Sequence, residues 1–217
     1  KKLWLGWHER LPYEEAPPFS ILDTGNRIGR GAWALFPGGV EVTEKPYEHA
    51  AAVARTASLM AGDVPAIFEA AFEYDKVRIR VDVLERLDDG WGLREVKSST
   101  SASEDKGHVD DVAVQLYVLQ GAGVDITSVE LIHVNNQYVF DGGDIAWPEM
   151  LARRDLTMEA RDRLPQVAAK IPELFGVLGR DRAPEVYATK SLCSKPWRCD
   201  YFDSCMAAKP EDWVGLL

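Results

Sequence analysis

No stretch of this 217-residue chain reaches about 18 uninterrupted apolar residues, the length a membrane-crossing helix needs. The opening KKLWLGWHERLP lacks the apolar core of a secretory leader. Cations are outnumbered, 25 Lys and Arg against 35 Asp and Glu, and the formal charge is −10. That balance argues against a protein that coats nucleic acid through a diffuse basic surface, and it leaves room for a local one. Cysteine is scarce: three residues, all between Cys193 and Cys205, which excludes a fully paired disulfide framework. The odd thiol points to a reducing, cytoplasmic setting and to a metal or cluster site. None of the three forms the C-x-x-C pair favoured by structural zinc. Internal repeats are absent. The first residue is Lys1 and not Met, so we expect a fragment, a processed form or the ordered part of a longer protein.

What is present is 46% hydrophobic residues, enough for a real core in one domain. KKLWLGWHERLP reads as a short amphipathic helix. A helix around Arg27–Leu35 is followed by a Gly38–Gly39 turn and a second helix over Glu44–Met60, closed by Gly62. AIFEAAFEY and VRIRVDVL read as strands, with Asp75–Lys76 as the turn between them. In the second, Val77, Ile79, Val81 and Val83 alternate with Arg78, Arg80 and Asp82. Asp89–Gly90 predicts a hairpin into WGLREVKSS. A helix over His108–Gln120 precedes the strand ITSVELIHVN, which has a short partner around Tyr138–Phe140. A helix over Leu156–Leu178 holds Pro165 and Pro172 and is expected to kink or split. The expected fold class is mixed α/β: an N-terminal helical part (1–62), a sheet with its helix (63–140), then C-terminal helices and a cysteine tail (141–217).

The chemistry concentrates in VDVLERLDDGWGLREVKSS. With Asp89–Gly90 as the two-residue turn, Asp82 lies opposite Lys97 and Glu95 is its diagonal neighbour on the same face. One reading is a cross-strand ion pair on a solvated face. The other is a pair of carboxylates sharing a hard cation, Mg²⁺ or Mn²⁺, which takes oxygen ligands. Glu69 favours the second, because a carboxylate inside AIFEAAF needs a partner or a metal. Its alternative is an ion pair with Arg78 or Arg80. Gln115 and Tyr117, on the next helix, are expected to look back at the hairpin end.

Asp82, then Glu95-Val96-Lys97, then a helix with Gln115 and Tyr117 resembles the PD-(D/E)XK nuclease superfamily in its RecB-like branch. RIGRGAWALFPGGVEV, IFEAAFEYDKVRIRVDVLE, WGLREVKSSTS, DDVAVQLYVL and the cysteine tail resemble successive blocks of RecB-like nucleases that carry an iron–sulfur cluster, over most of the chain. The resemblance implies a restriction-endonuclease-like mixed sheet flanked by helices, with the cysteine tail packed near the N-terminal helix. It implies Asp82, Glu95 and the Val96 carbonyl as ligands of a divalent ion. Lys97 would orient or deprotonate the attacking water and offset phosphate charge, and Gln115 with Tyr117 would position substrate or lysine. Relatives place a metal-binding His on an early helix, and RIGRGAWALF has none. Glu69 is a substitute; His49 and His108 are others, each with an ordinary surface role as the alternative, while His133 reads as a core residue.

Cys193, Cys199 and Cys205, five residues apart, resemble the C-terminal part of a [4Fe–4S] motif, which uses four thiolates. The relatives imply a fourth cysteine just before Lys1, and shielding by Trp197, Tyr201 and Phe202. Such a cluster would tie the first helix to the tail and act structurally; the alternative is three reduced cysteines without metal. The implied partner is DNA, single-stranded rather than duplex, with no membrane, and phosphate contacts from Arg27, Arg30, Lys190, Lys195 and Arg198. Against the metal-dependent nuclease stand two rivals: a catalytically inactive iron–sulfur DNA-binding or assembly domain, which the missing histidine favours, and a domain with an incidental Glu-x-Lys hairpin.

Overall fold

A computed structural model describes residues 1–9, 20–100, 107–187, 193 and 198–209. Chain contacts group into two compact units, residues 16–168 and a second made of 1–15 with 169–217. The N-terminal segment therefore belongs with the tail, and not with the helices up to residue 62.

The larger unit is built on a six-stranded mixed sheet in sequence order: β1 (Val40–Glu41), β2 (Ala66–Tyr74), β3 (Val77–Leu87), β4 (Gly90–Lys97), β5 (Ile126–Val134) and β6 (Leu151–Asp155). β2, β3 and β4 form an antiparallel meander, and β1·β2 and β4·β5 are parallel. A parallel neighbour requires a crossover. The crossover from β4 to β5 is the helix His108–Gly121.

The helices of this unit are α2 (Ile21–Ala32), α3 (His49–Met60), α4 (His108–Gly121), the short α5 (Trp147–Met150) and the start of α6 (Thr157–Leu178); α1 (Lys2–His8) belongs to the smaller unit. On one face of the sheet Ala52 and Leu59 of α3, Val112, Leu116 and Leu119 of α4 and Ala160 of α6 cover Ile67, Val81, Leu84, Leu93 and Leu131. On the other, Ile28 and Ala32 of α2 meet Phe68, Val83 and Ile132. Helices thus flank a mixed sheet, as the sequence predicts.

Three local expectations are corrected. The second hairpin pairs Leu87 with Gly90, so Asp88–Asp89 is the turn and the register shifts by two residues. Gly90 is needed for another reason: φ is +143°, and a Cβ there would lie 2.8 Å from the Asp125 carbonyl oxygen. The partner of β5 is β6, and Tyr138–Phe140 forms no strand, with Val139 and Phe140 exposed. Helix α6 runs unbroken through Pro165 and Pro172. Each proline removes one hydrogen bond, while Ala160 and Leu164 keep their places in the core.

Candidate active site

β3 and β4 pair only as far as Val83 and Arg94. Beyond that point β4 stays with β5, pairing Glu95 with Leu131 and Lys97 with His133, while β3 stays with β2. The sheet forks at Asp82 and Glu95. The same level is irregular on β2, where Phe68 pairs with Val83 and Ala70 with Val81, leaving Glu69 and Asp82 facing each other outside the ladder. Glu69 has φ +56°, left-handed backbone that a side-chain-bearing residue rarely adopts. Glu69, Asp82 and Glu95 are therefore consecutive across three strands.

Each acid is held differently. Asp82 Oδ2 accepts the Val96 N–H at 2.7 Å, replacing the strand carbonyl lost where the ladder opens. Glu95 is buried, with Oε1 2.6 Å from Lys97 Nζ and Oε2 accepting from Gln115 Nε2 at 2.7 Å. Lys97 also donates to Asp111 Oδ2 at 2.5 Å. The backbone carbonyl of Glu69 is fixed by Arg80, whose guanidinium donates to it at 3.2 Å and to the Glu44 carbonyl at 2.6 Å. The alternative ion pair of Glu69 with Arg78 or Arg80 is not formed: Arg78 pairs with Glu73 at 2.8 Å.

The electrostatics follow from crowding. Burial pushes Asp82 up to about 6, although the Val96 N–H opposes it, and Glu69 adds to the rise. Burial and then the charge of Asp82 push Glu95 up to about 8, against the pull of Lys97. Burial raises Glu69 too, with Arg80 opposing. Burial works against the Lys97 ammonium, yet Glu95 and Asp111 hold its pKa above the ordinary value. Carboxylates so short of positive charge suit a hard divalent cation, and oxygen donors from Glu69, Asp82 and Glu95 are the right chemistry for Mg²⁺ or Mn²⁺. Among the described residues no three His, Cys, Asp or Glu side chains yet converge on one point. Lys97 and Gln115 take up both oxygens of Glu95 instead.

The acids open into a cavity of about 640 Å³. Gly25, Gly29, Arg30 and Trp33 form one wall, Glu44 and Lys45 the rim, and Glu69, Arg80, Asp82, Glu95, Val96 and Lys97 the floor. The Arg30 guanidinium lies 5.7 Å from the Trp33 ring, which stacks on Phe68 at 4.6 Å.

The structure brings together Glu69, Asp82, Glu95, Val96, Lys97, Gln115 and Arg30. It separates others. The expected Asp82–Lys97 opposition gives way to Asp82 opposite Glu95, since the two-residue register shift preserves the face, and Lys97 pairs with Glu95 along its own strand. Tyr117 turns away, donating to Asp75 at 3.3 Å beside Tyr74, because residues two apart on a helix face different directions. His49 and His108 are buried, not surface residues, and His133 is half-buried; none of the three lines the cavity. Burial, then Arg78, holds the His49 imidazole below its ordinary value. Arg27 is exposed and outside the cavity. Lys190, Lys195 and Trp197 lie outside the described residues. Asp111 was missed. Its signal was its position four residues before Gln115, on the same face of α4.

The smaller unit holds the thiols. Trp4 and Leu5 of α1 cluster with Tyr201 and Cys205, and Cys193, Cys199 and Phe202 pack against them, with α7 (Phe202–Ala207) supplying Cys205. The tail thus does pack on the N-terminal helix, with Tyr201 and Phe202 in the same cluster as the thiols. The cysteines form no disulfide, and the Cys199 N–H donates to the Cys193 carbonyl at 2.8 Å. The three thiols share one apolar cluster, but among the described residues they do not converge as a group that could hold a metal, and this sequence has no fourth cysteine. Arg198 pairs with Asp203 at 2.6 Å. Among the described residues no helix is long and apolar enough to cross a membrane.

No family model and no curated protein matches the chain. Among solved structures, that of SSO0001 aligns over 98% of this chain and 96% of that one, at 12% identity and a TM-score of 0.32. A likeness of that strength carries no argument about fold or chemistry.

Proposed function

We propose that the cavity is the active site of a divalent-metal-dependent nuclease of the RecB-like PD-(D/E)XK type, hydrolysing phosphodiester bonds in DNA, single strands before duplexes. One observation carries the reading. Acids from three neighbouring strands and a lysine line one cavity where the sheet forks, with a glutamine from α4 fixing the acid on β4.

Glu69, Asp82 and Glu95 would hold Mg²⁺ or Mn²⁺, joined by the Val96 carbonyl. When bound, the cation supplies water activation and neutralises charge developing on the phosphate. The protein's part is orientation. Gln115 fixes the carboxylate plane of Glu95, and the Val96 N–H fixes Asp82. Lys97 brings three donors on a flexible stem to the cavity floor, suited to orienting water and to meeting phosphate oxygens. Arg30 and Lys45 supply positive charge at the wall and rim, and Trp33 an aromatic ring. The thiols would supply three ligands of a [4Fe–4S] cluster in a structural role, in a reducing, cytoplasmic setting.

The test is cleavage of end-labelled single-stranded DNA, duplex DNA and RNA with Mn²⁺ or Mg²⁺. Lys97→Ala is expected to lower the rate by about a hundredfold or more, as for loss of a positioned proton-transfer group. Equal inertness of wild type and variant, with DNA still bound, would move the assignment to a binding domain of the same fold.

A further inference from the structure

Lys97 is shared. Its ammonium sits 2.6 Å from Glu95 Oε1 and 2.5 Å from Asp111 Oδ2, so one cation bridges a buried and an exposed acid. Gln115 occupies the other oxygen of Glu95. The geometry is a two-point clasp. Lys97 and Glu95, two apart on β4, share a face of the strand, and Asp111 and Gln115, four apart on α4, share a face of the helix. The helix grips the acid with an amide, and the ammonium with a second acid.

This arrangement conflicts with metal binding as long as Lys97 keeps its place. The ammonium is on Glu95 Oε1 and the Gln115 amide on Oε2, so a divalent cation held by Glu95 would have to compete with the ammonium. Were Glu95 the sole acid within reach, the lysine would compete with the ion at every encounter. Asp111 offers a retreat: it already holds Nζ, it stands on the solvent side of the pair, and the four-carbon stem of lysine swings without moving backbone.

We infer that Asp111 is a positioning residue, the acceptor that keeps Lys97 beside the cavity when a divalent cation takes its place on Glu95. The inference rests on the metal-dependent reading of the site. Lys97 is thus shared by Glu95 and Asp111 in the empty site and is held by Asp111 without Glu95 in the loaded one. Linkage sets the consequence: the ion must displace the ammonium, so whatever stabilises the displaced position tightens metal binding.

The experiment measures Mn²⁺ binding by the full chain without DNA, from the electron paramagnetic resonance signal of free Mn²⁺. Asp111→Asn, nearly isosteric and exposed, is expected to weaken binding about fivefold, the scale of a partly exposed ion pair. Asp111→Glu restores most of it. Asp110→Asn removes the same charge from the neighbouring exposed position, where Asp110 faces Arg163 at 3.4 Å, and changes little. Lys97→Met binds Mn²⁺ more tightly than wild type, because the competitor is gone. In that background Asp111→Asn has no effect beyond that of Asp110→Asn, so the two substitutions are non-additive. Equal weakening by Asp111→Asn with and without Lys97 makes Asp111 a plain charge and overturns the inference, as does no weakening at all. A wild-type chain that binds no Mn²⁺ is a different result: it removes the metal-dependent reading itself and this inference with it.

Discussion

Glu69 is held in two unfavourable states at once. Its backbone is left-handed at φ +56°, and its carboxylate is half-buried with its pKa raised by burial. A strained backbone of that kind costs about 1–3 kcal/mol. Arg80 offsets part of this by donating to the carbonyls of Glu69, Val42 and Glu44. Strain of this sort is kept where it aims a side chain at a ligand. Glu69→Gly should therefore raise unfolding stability by about 1 kcal/mol in urea titration, while abolishing tight Mn²⁺ binding. A loss of stability would show that the turn at Glu69 is ordinary packing. The charged residue in an apolar run was visible in the sequence. The backbone reversal under it was not, because φ at one position answers to the strands on either side.

At the scale of elements, the alternation Val77–Val83 predicts one face for all four valine and isoleucine positions. In the fold Ile79 and Val81 pack under α4, whereas Val83 packs under α2. The change falls at Asp82, opposite the reversal at Glu69, where the ladder breaks. The fork at the candidate site is thus an interruption of the period that made the strand legible. Helix α2 shows a similar division. A Cβ at Gly31 would sit 2.2 Å from the Trp147 ring, whereas Gly29 faces open space beside the cavity. Thermal denaturation should separate them: Gly31→Ala destabilises by about 1–3 kcal/mol through overpacking, and Gly29→Ala stabilises by about 0.5–1 kcal/mol through helix propensity. If both variants melt together, the Trp147 contact does not constrain α2. Neither outcome is readable from the sequence, in which RIGRG shows two like glycines.

For the whole molecule, the raised acids make stability depend on pH in an unusual direction. Asp82 and Glu95 bind protons more tightly when folded, so between the ordinary carboxylate range and their raised values of about 6 and about 8 the native state carries more protons than the unfolded one. Their contribution is complete below about pH 4 and is lost as pH rises through those values. Metal-free protein should show a falling Tm from about pH 5 to about pH 8, and Mn²⁺ should oppose the fall most at the upper end. The overall charge of −10 pushes the same way through self-repulsion. A Glu95→Gln variant separates the two, since it keeps nearly all of that charge and should flatten the slope. An unchanged slope would remove the site from the explanation.

The sequence by itself determined the α/β class, most of the strands and helices around the candidate site, and the presence of Asp82, Glu95, Lys97 and Gln115 on them. Local propensity, turn residues and the helical and strand periods are encoded within a few neighbours, and a register error of two residues leaves every side chain on its face. The tertiary structure decided the rest. It set which acid Lys97 meets, turned Tyr117 away, recruited Asp111 and Arg80, fixed the backbone of Glu69 and gathered residues 1–9 with the cysteine tail. Those are contacts between segments distant in sequence. They follow from how strands part and how a helix seats across them, and no local pattern records that.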